Sequence, residues 1–294
     1  MTDATNRAGV ATRYQGAWQR LRNLAEDAPE LARHLAGLGE GESLVTVHDS
    51  DTGREAGYIR AIVGTDVILH AFMPALHAVY GPSFYEGGWL HYRDRAPVYG
   101  GDDVRVTAVP EDDGCVVLGM EDRDLKRCAD GRGGLAASAP PVEGNDPDVL
   151  PELPAGTVVT QSELCPDAAL IAAFLDACGQ DQLYGSASPW GPPLVPPTMA
   201  LYRIISEFGA PLDAMLGEGS SGRMVVSGVS LRSHRPVLQG SSYTNTGTIG
   251  AKGRGRRFPY FTFQVAVDDP NGAACLEVGM RVTYLPPDSR VGEE

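Results

Sequence analysis

One short pattern, P-V-x-x-G, occurs twice at matched places in this chain, and duplication is the better account of it. Pro97-Val98-Tyr99-Gly100-Gly101-Asp102 and Pro236-Val237-Leu238-Gln239-Gly240-Ser241 each carry a strand end into a Gly turn, at matched places after a helix. Between the copies, Ala139 to Gly156 (APPVEGNDPDVLPELPAG) holds five prolines and four acidic residues with little apolar periodicity, the composition of a linker. The expected division is residues 1–39 as an N-terminal helical extension, 40–138 as one half, 139–156 as the linker and 157–290 as the second half.

Each half shows the same order of elements. In the second, Pro166 to Cys178 has Pro in the first turn, apolar Leu170, Ile171, Phe174 and Leu175 at helical spacing, and Gly179 past the end. An eighteen-residue loop, Gly179 to Pro196, precedes another helix, Pro197 to Phe208, with Leu201, Ile204, Ile205 and Phe208 on one stripe. Alternating runs at Gly222–Ser230, Ser242–Ile249, Arg257–Val267 and Ala274–Tyr284, broken by turns such as Asp269-Pro270-Asn271-Gly272, read as antiparallel strands. The first half offers helices at Glu55–Ile62 and Leu69–Tyr80, then strands at Trp89–Tyr99, Val104–Pro110, Cys115–Asp122 and Gly133–Ser138. The class expected is α+β, two units that each wrap a helix in antiparallel sheet.

Composition narrows the functions. A formal net charge of −14 disfavours nucleic acid and anionic membrane surfaces as partners. No apolar run of eighteen residues exists and the first thirty carry charges throughout, so the expectation is neither a membrane span nor a secretory signal, and a cytoplasmic protein. Five cysteines without a C-x-x-C pair suit buried thiols better than disulfides or zinc, and no metal or cofactor is expected. No G-x-S-x-G, H-E-x-x-H, Walker or dinucleotide motif is present in its required context. The basic stretch Gly250 to Arg257 (GAKGRGRR) fits a solvated hairpin turn, or a docking point for the phosphates of coenzyme A or an acidic carrier protein.

Three segments carry a resemblance. Ala177 to Gly185 (ACGQDQLYG) looks like the A-x-G-D-x-N-P-x-H segment of MaoC-like hydratases and dehydratases, Leu194 to Leu201 (LVPPTMAL) is similar to that family's lead into its central helix, and the Pro97 and Pro236 turns look like its P-V-x-x-G-D turn. The likeness covers most of residues 55–285 and implies a tandem, or double, hot-dog fold. In that family the loop Asp and His do the acid–base chemistry, while a backbone N–H at the helix start polarises the thioester carbonyl. Here those two positions fall on Gln180 and Gly185, which cannot titrate, and Pro196 and Pro197 have no N–H, leaving Thr198 or Met199 as first donors.

The resemblance therefore implies a dehydratase-like scaffold whose usual Asp/His pair is not retained. It points to a lyase- or isomerase-type enzyme of specialised, polyketide-type metabolism, redirected to cyclisation, isomerisation or elimination. The alternatives are a conventional enoyl-thioester hydratase with relocated acid and base, or a non-catalytic acyl-binding subunit. The expected partners are a small-molecule or acyl-thioester substrate, free or carrier-protein bound, and a second copy as a homodimer. Candidate catalytic residues are Asp181, Tyr184 and His234; candidate substrate contacts are His70, His77, Trp190, Thr198 and Tyr202. Each has a plainer reading. Asp181 fits an exposed loop carboxylate, the helix histidines fit packed core residues, and His91, Arg93, Arg95, Arg232 and His234 fit either a solvated strand face or a polar cavity.

Overall fold

The two halves share a single sheet. A computed structural model describes residues 13–38, 46–136, 157–179, 183–208, 211–212, 223–254 and 257–286. The first half contains β1 (Tyr14–Gln15), β2 (Gln19–Arg20), α1 (Leu24–Asp27), α2 (Pro29–Ala36), α3 (Ser50–Glu55), α4 (Thr65–Tyr80), α5 (Phe84–Gly87), β3 (Gly88–Asp94), β4 (Asp103–Pro110), β5 (Val116–Asp122) and β6 (Arg127–Leu135). The second contains β7 (Thr157–Leu164), α6 (Ala168–Cys178), β8 (Ala187–Ser188), β9 (Gly191–Pro193), α7 (Pro197–Glu207), β10 (Met224–Ser233), β11 (Tyr243–Arg254), β12 (Pro259–Asp268) and β13 (Ala274–Tyr284). The strands run β1-β4-β5-β6-β3-β10-β13-β12-β11-β7, with β2 also on β4, and the small β8–β9 hairpin stands apart.

That order reads the same from both ends. The series β4-β5-β6-β3 faces β11-β12-β13-β10 across the antiparallel β3–β10 pair, where Leu90 opposes Leu231, Tyr92 opposes Val229, and His91 opposes Ser230 between them. His91 Nδ1 lies 2.8 Å from Ser230 Oγ at this pseudo-twofold point. The relation extends to single hydrogen bonds. Val63 N donates to Val98 O at 2.8 Å, as Val195 N does to Val237 O at 2.9 Å. Arg95 and Ala96 both donate to Cys128 O, as His234 and Arg235 both donate to Cys275 O. Pro97 and Pro236 occupy equivalent turns, with the bridges Ile62–Tyr99 and Leu194–Leu238 beside them.

Helix α4 starts after Gly64 and buries nearly its whole first two turns, from Thr65 to Met73. Such an all-round apolar helix must lie inside a sheet wrap. Pro74 sits within it, so the His70 carbonyl lacks its ordinary i+4 donor. Gly133 lets β6 approach: a Cβ there would lie 2.6 Å from Leu76 Cδ2 and 3.2 Å from Trp89 O. One core cluster runs through both halves, from Leu21 to Val282.

Several boundaries differ from the sequence reading. The helix expected at Glu55–Ile62 is α3, which ends at Glu55. Strand β3 stops at Asp94, because the backbone of Arg95 and Ala96 turns onto Cys128 O. Strand β6 begins at Arg127, its Gly-rich run having masked the pattern, and β7 pairs β11 without having been anticipated. Strand β11 continues to Arg254, so the first part of the basic stretch is strand rather than turn. Residues 14–15 and 19–20 of the expected helical extension are strands on the sheet edge, followed by the short helices α1 and α2.

Candidate active site

The two central helices meet at their N-terminal ends. Thr198, the second residue of α7, places Oγ1 3.2 Å from Nδ1 of His70 on α4, and both residues are buried. Aligning Val63 with Val195 along the two helices sets Asp66 and Tyr202 in the complementary positions. Burial lowers His70 to about 4, so the ring is neutral, and its Nε2 has no hydrogen-bond partner among the described residues. Burial also raises Asp66 to about 7, although the N–H groups of Asp66 and Val67 bond to its carboxyl, and its Oδ2 is unpartnered. Burial and then the nearby Asp66 charge push up both the Tyr202 phenol and the Cys178 thiol. At the α7 start, Met199 N–H is committed to Pro196 O at 3.0 Å, which leaves Thr198 N–H as the first donor facing outward along the helix axis.

From Leu183 onward, the loop that follows α6 packs over this junction. Tyr184 is fully buried, its hydroxyl 3.0 Å from that of Tyr85 and its ring centroid 5.6 Å from His70. Phe174 meets His70 edge-on at 5.4 Å. Tyr85 lies 6.1 Å from His77, whose buried Nδ1 is unpartnered, and 6.1 Å from Trp190. Trp190 projects from the β8–β9 turn, and its Nε1 donates to Glu86 at 2.8 Å across the two halves. Beyond Trp190 opens a hollow of about 630 Å³ lined by Glu86, His234, Leu238, Ser241 and Tyr243 among others. Trp190 thus stands between this hollow and the buried polar groups at the helix junction.

The structure therefore brings His70, His77, Tyr184, Trp190 and Thr198 together, with Tyr202 at the related end of the helix pair. Asp181 lies outside the described residues. His234 stands apart on the rim, with Nε2 3.1 Å from Glu277. The equivalent place in the first half holds the Arg95–Asp130 ion pair at 2.5 Å, so this contact repeats a structural feature of the fold. Gly185 is exposed, with open space where a side chain would project. Sequence reasoning missed Asp66, Tyr85 and Glu86. Asp66 precedes the expected helix start at Leu69, whereas Tyr85 and Glu86 fall in an unassigned segment with no motif to flag them.

Among the described residues no helix is long and apolar enough to cross a membrane, and no group of three His, Cys, Asp or Glu side chains is placed to hold a metal ion. No protein-family model matches the sequence, and no curated protein matches it by sequence. Solved structures identify the fold as the double hot-dog arrangement of MaoC-like dehydratases. A structure assigned as a MaoC domain protein dehydratase, from Chloroflexus aurantiacus J-10-fl, is similar with a TM-score of 0.63 and 14% identity over 96% of both chains. RV0216 of Mycobacterium tuberculosis, described as having a double hot-dog fold, gives 0.60 at 11% identity over 93% of this chain and 96% of its own. A MaoC-like dehydratase gives 0.56 at 10% identity over 95% and 98%.

Proposed function

We propose that this chain is a cofactor-independent enzyme of the lyase or isomerase type, acting on an acyl-thioester or polyketide-derived substrate by isomerisation, elimination or cyclisation. One observation carries the reading. The polar groups of His70, Thr198, Tyr184 and Tyr85 converge at the junction of α4 and α7, within apolar walls and behind Trp190. An enclosed site of this kind orients a substrate and strengthens hydrogen bonds to developing charge.

In the proposed reaction the Thr198 N–H, at the positive end of α7, binds the thioester carbonyl oxygen. Asp181, three residues before Tyr184, takes a proton from the carbon beside the carbonyl, and the Tyr184 hydroxyl donates a hydrogen bond to the enolate oxygen. Returning that proton to a different carbon completes an isomerisation; loss of a β-hydroxyl as water completes an elimination. Neutral His70 holds Thr198 in place, and His234 belongs to the rim through which the substrate enters.

The test uses two probes. Vinylacetyl-pantetheine should be converted to its conjugated crotonyl isomer, as followed by proton NMR, and Tyr184→Phe and Asp181→Asn should each slow this by about 100-fold. Crotonyl-coenzyme A should be hydrated no faster than background. A second reading, a conventional hydratase with relocated groups, is favoured by Asp66, which titrates near 7 one turn before His70 on the same helix. Hydration of crotonyl-coenzyme A at ordinary enzyme rates, abolished in Asp66→Asn and intact in Asp181→Asn, would establish that reading and overturn the first.

A further inference from the structure

The first half contains a cavity of about 210 Å³, between the segment leading into α4, the turn after β3 and the start of β10. The pseudo-twofold relation sets it opposite the hollow beside Trp190. Arg95, Ala96 and Pro97 line the cavity; their counterparts His234, Arg235 and Pro236 line the hollow. Each space is also walled by a segment from the other half, Val225 and Val226 in one case and Glu86 in the other. The duplicated fold thus makes two related spaces, of which only one adjoins the proposed active site.

We propose that the cavity of the first half is a second binding site, for an uncharged molecule of about ten heavy atoms or fewer with an apolar body and a carbonyl or hydroxyl head. Size comes from comparison: an apolar cavity of roughly 150 Å³ accommodates benzene. Its body would rest on Ile62, Val63, Ile68, Val98, Val225 and Val226. Its head would meet Asp94, Tyr58 and His48, which line the cavity from three different segments.

These three groups have capacity to spare. One Asp94 oxygen accepts from the Tyr92 hydroxyl, whereas the other has no hydrogen bond among the described residues. The Tyr58 hydroxyl likewise makes none. His48 Nδ1 lies 2.8 Å from Ile62 O and must donate to it, so in the neutral ring Nε2 is an acceptor. Burial keeps His48 below its usual range, raises Asp94 to about 7 and raises Tyr58 to about 12, with the Asp94 charge adding to the Tyr58 shift. The pocket therefore offers a hydroxyl donor, a carboxyl and an imidazole acceptor. Among the described residues the one cation in its wall, Arg95, is engaged by Asp130 at 2.5 Å, which favours an uncharged ligand over an anionic one.

Binding in this cavity does not depend on the chemistry at the helix junction. The full chain is titrated with cyclohexanone, followed by calorimetry and saturation-transfer NMR. Cyclohexanone should bind; cyclohexanecarboxylate at pH 8 should not. Val225→Phe, which fills the cavity, should abolish binding, and Tyr58→Phe, which removes one hydroxyl and is the less disruptive change, should weaken it about 10-fold. A thermal melt of each variant confirms that it is folded, and Tyr184→Phe should leave the affinity unchanged. No binding by the parent, an affinity indifferent to Tyr58→Phe, or a loss confined to Tyr184→Phe would each overturn the proposal, the last by placing the probe at the helix junction. Isomerisation of the thioester is read separately, so either idea can fail alone.

Discussion

Asp66 shows what one residue costs a fold when it is buried with no cation beside it among the described residues. Its folded value near 7 stands above the roughly 4 of an unfolded carboxyl. Between those values the folded chain holds a proton that the unfolded chain has released, so stability falls as pH rises from about 4 through 7. Asp94 is raised in the same direction and contributes to the same decline. Asp66→Asn should therefore change the urea midpoint little at pH 4.5 and raise it at pH 8, by up to about 4 kcal/mol in unfolding free energy. A variant no more stable than the parent at pH 8 would mean that Asp66 is solvated. None of this was legible from the sequence, where Asp66 is one acidic residue before an apolar run. His70 and Tyr184 were legible as candidates because their residue types stand out on a helix and in a long loop, while their packing partners, Thr198 and Tyr85, come from distant segments.

Helix α3 shows how far local rules carry at the scale of an element. Its N-cap is written in Asp49-Ser50-Asp51-Thr52, and the Asp49 carboxylate accepts from Asp51 N at 3.1 Å and Thr52 N at 2.9 Å. Gly53 points the other way, since glycine weakens a helix interior. Its reason is tertiary: a Cβ there would sit 3.1 Å from Val47 O and 3.3 Å from Arg60 O. The helix was consequently expected five to seven residues too late, at Glu55–Ile62 rather than Ser50–Glu55. Longer elements with a clear stripe, such as α6 and α7, were legible to within about two residues, whereas β6 and β7 were hidden by glycines and by the linker. Asp49→Ala should cost about 1 kcal/mol in urea unfolding at pH 7 and Asp49→Asn much less. Equal losses in both variants would show that the carboxylate charge, rather than its capping geometry, holds α3.

For the whole molecule, the internal repeat was legible from Pro97 and Pro236, but a repeat does not say how its copies join. The join is central: β3 pairs with β10, α4 packs on α7, and Thr198 reaches His70 across the boundary. A half standing alone would expose an open central strand and an apolar helix face that the other half normally covers. Trp18 and Trp89 lie in the first half and Trp190 in the second. Unfolding followed by indole fluorescence in Trp190→Phe, which reports the first half, and in the double variant Trp18→Phe with Trp89→Phe, which reports the second, should give the same urea midpoint, after allowance for each variant's own stability change, because one cooperative core serves both halves. Cutting the chain between residues 146 and 147 separates the two halves covalently. Fragments 1–146 and 147–294 should each lack a cooperative transition when purified alone, yet regain one on equimolar mixing as a 1:1 complex. Cooperative unfolding of either isolated fragment would show that half to be autonomous, and the β3–β10 join would then be a docking contact rather than part of the folding unit.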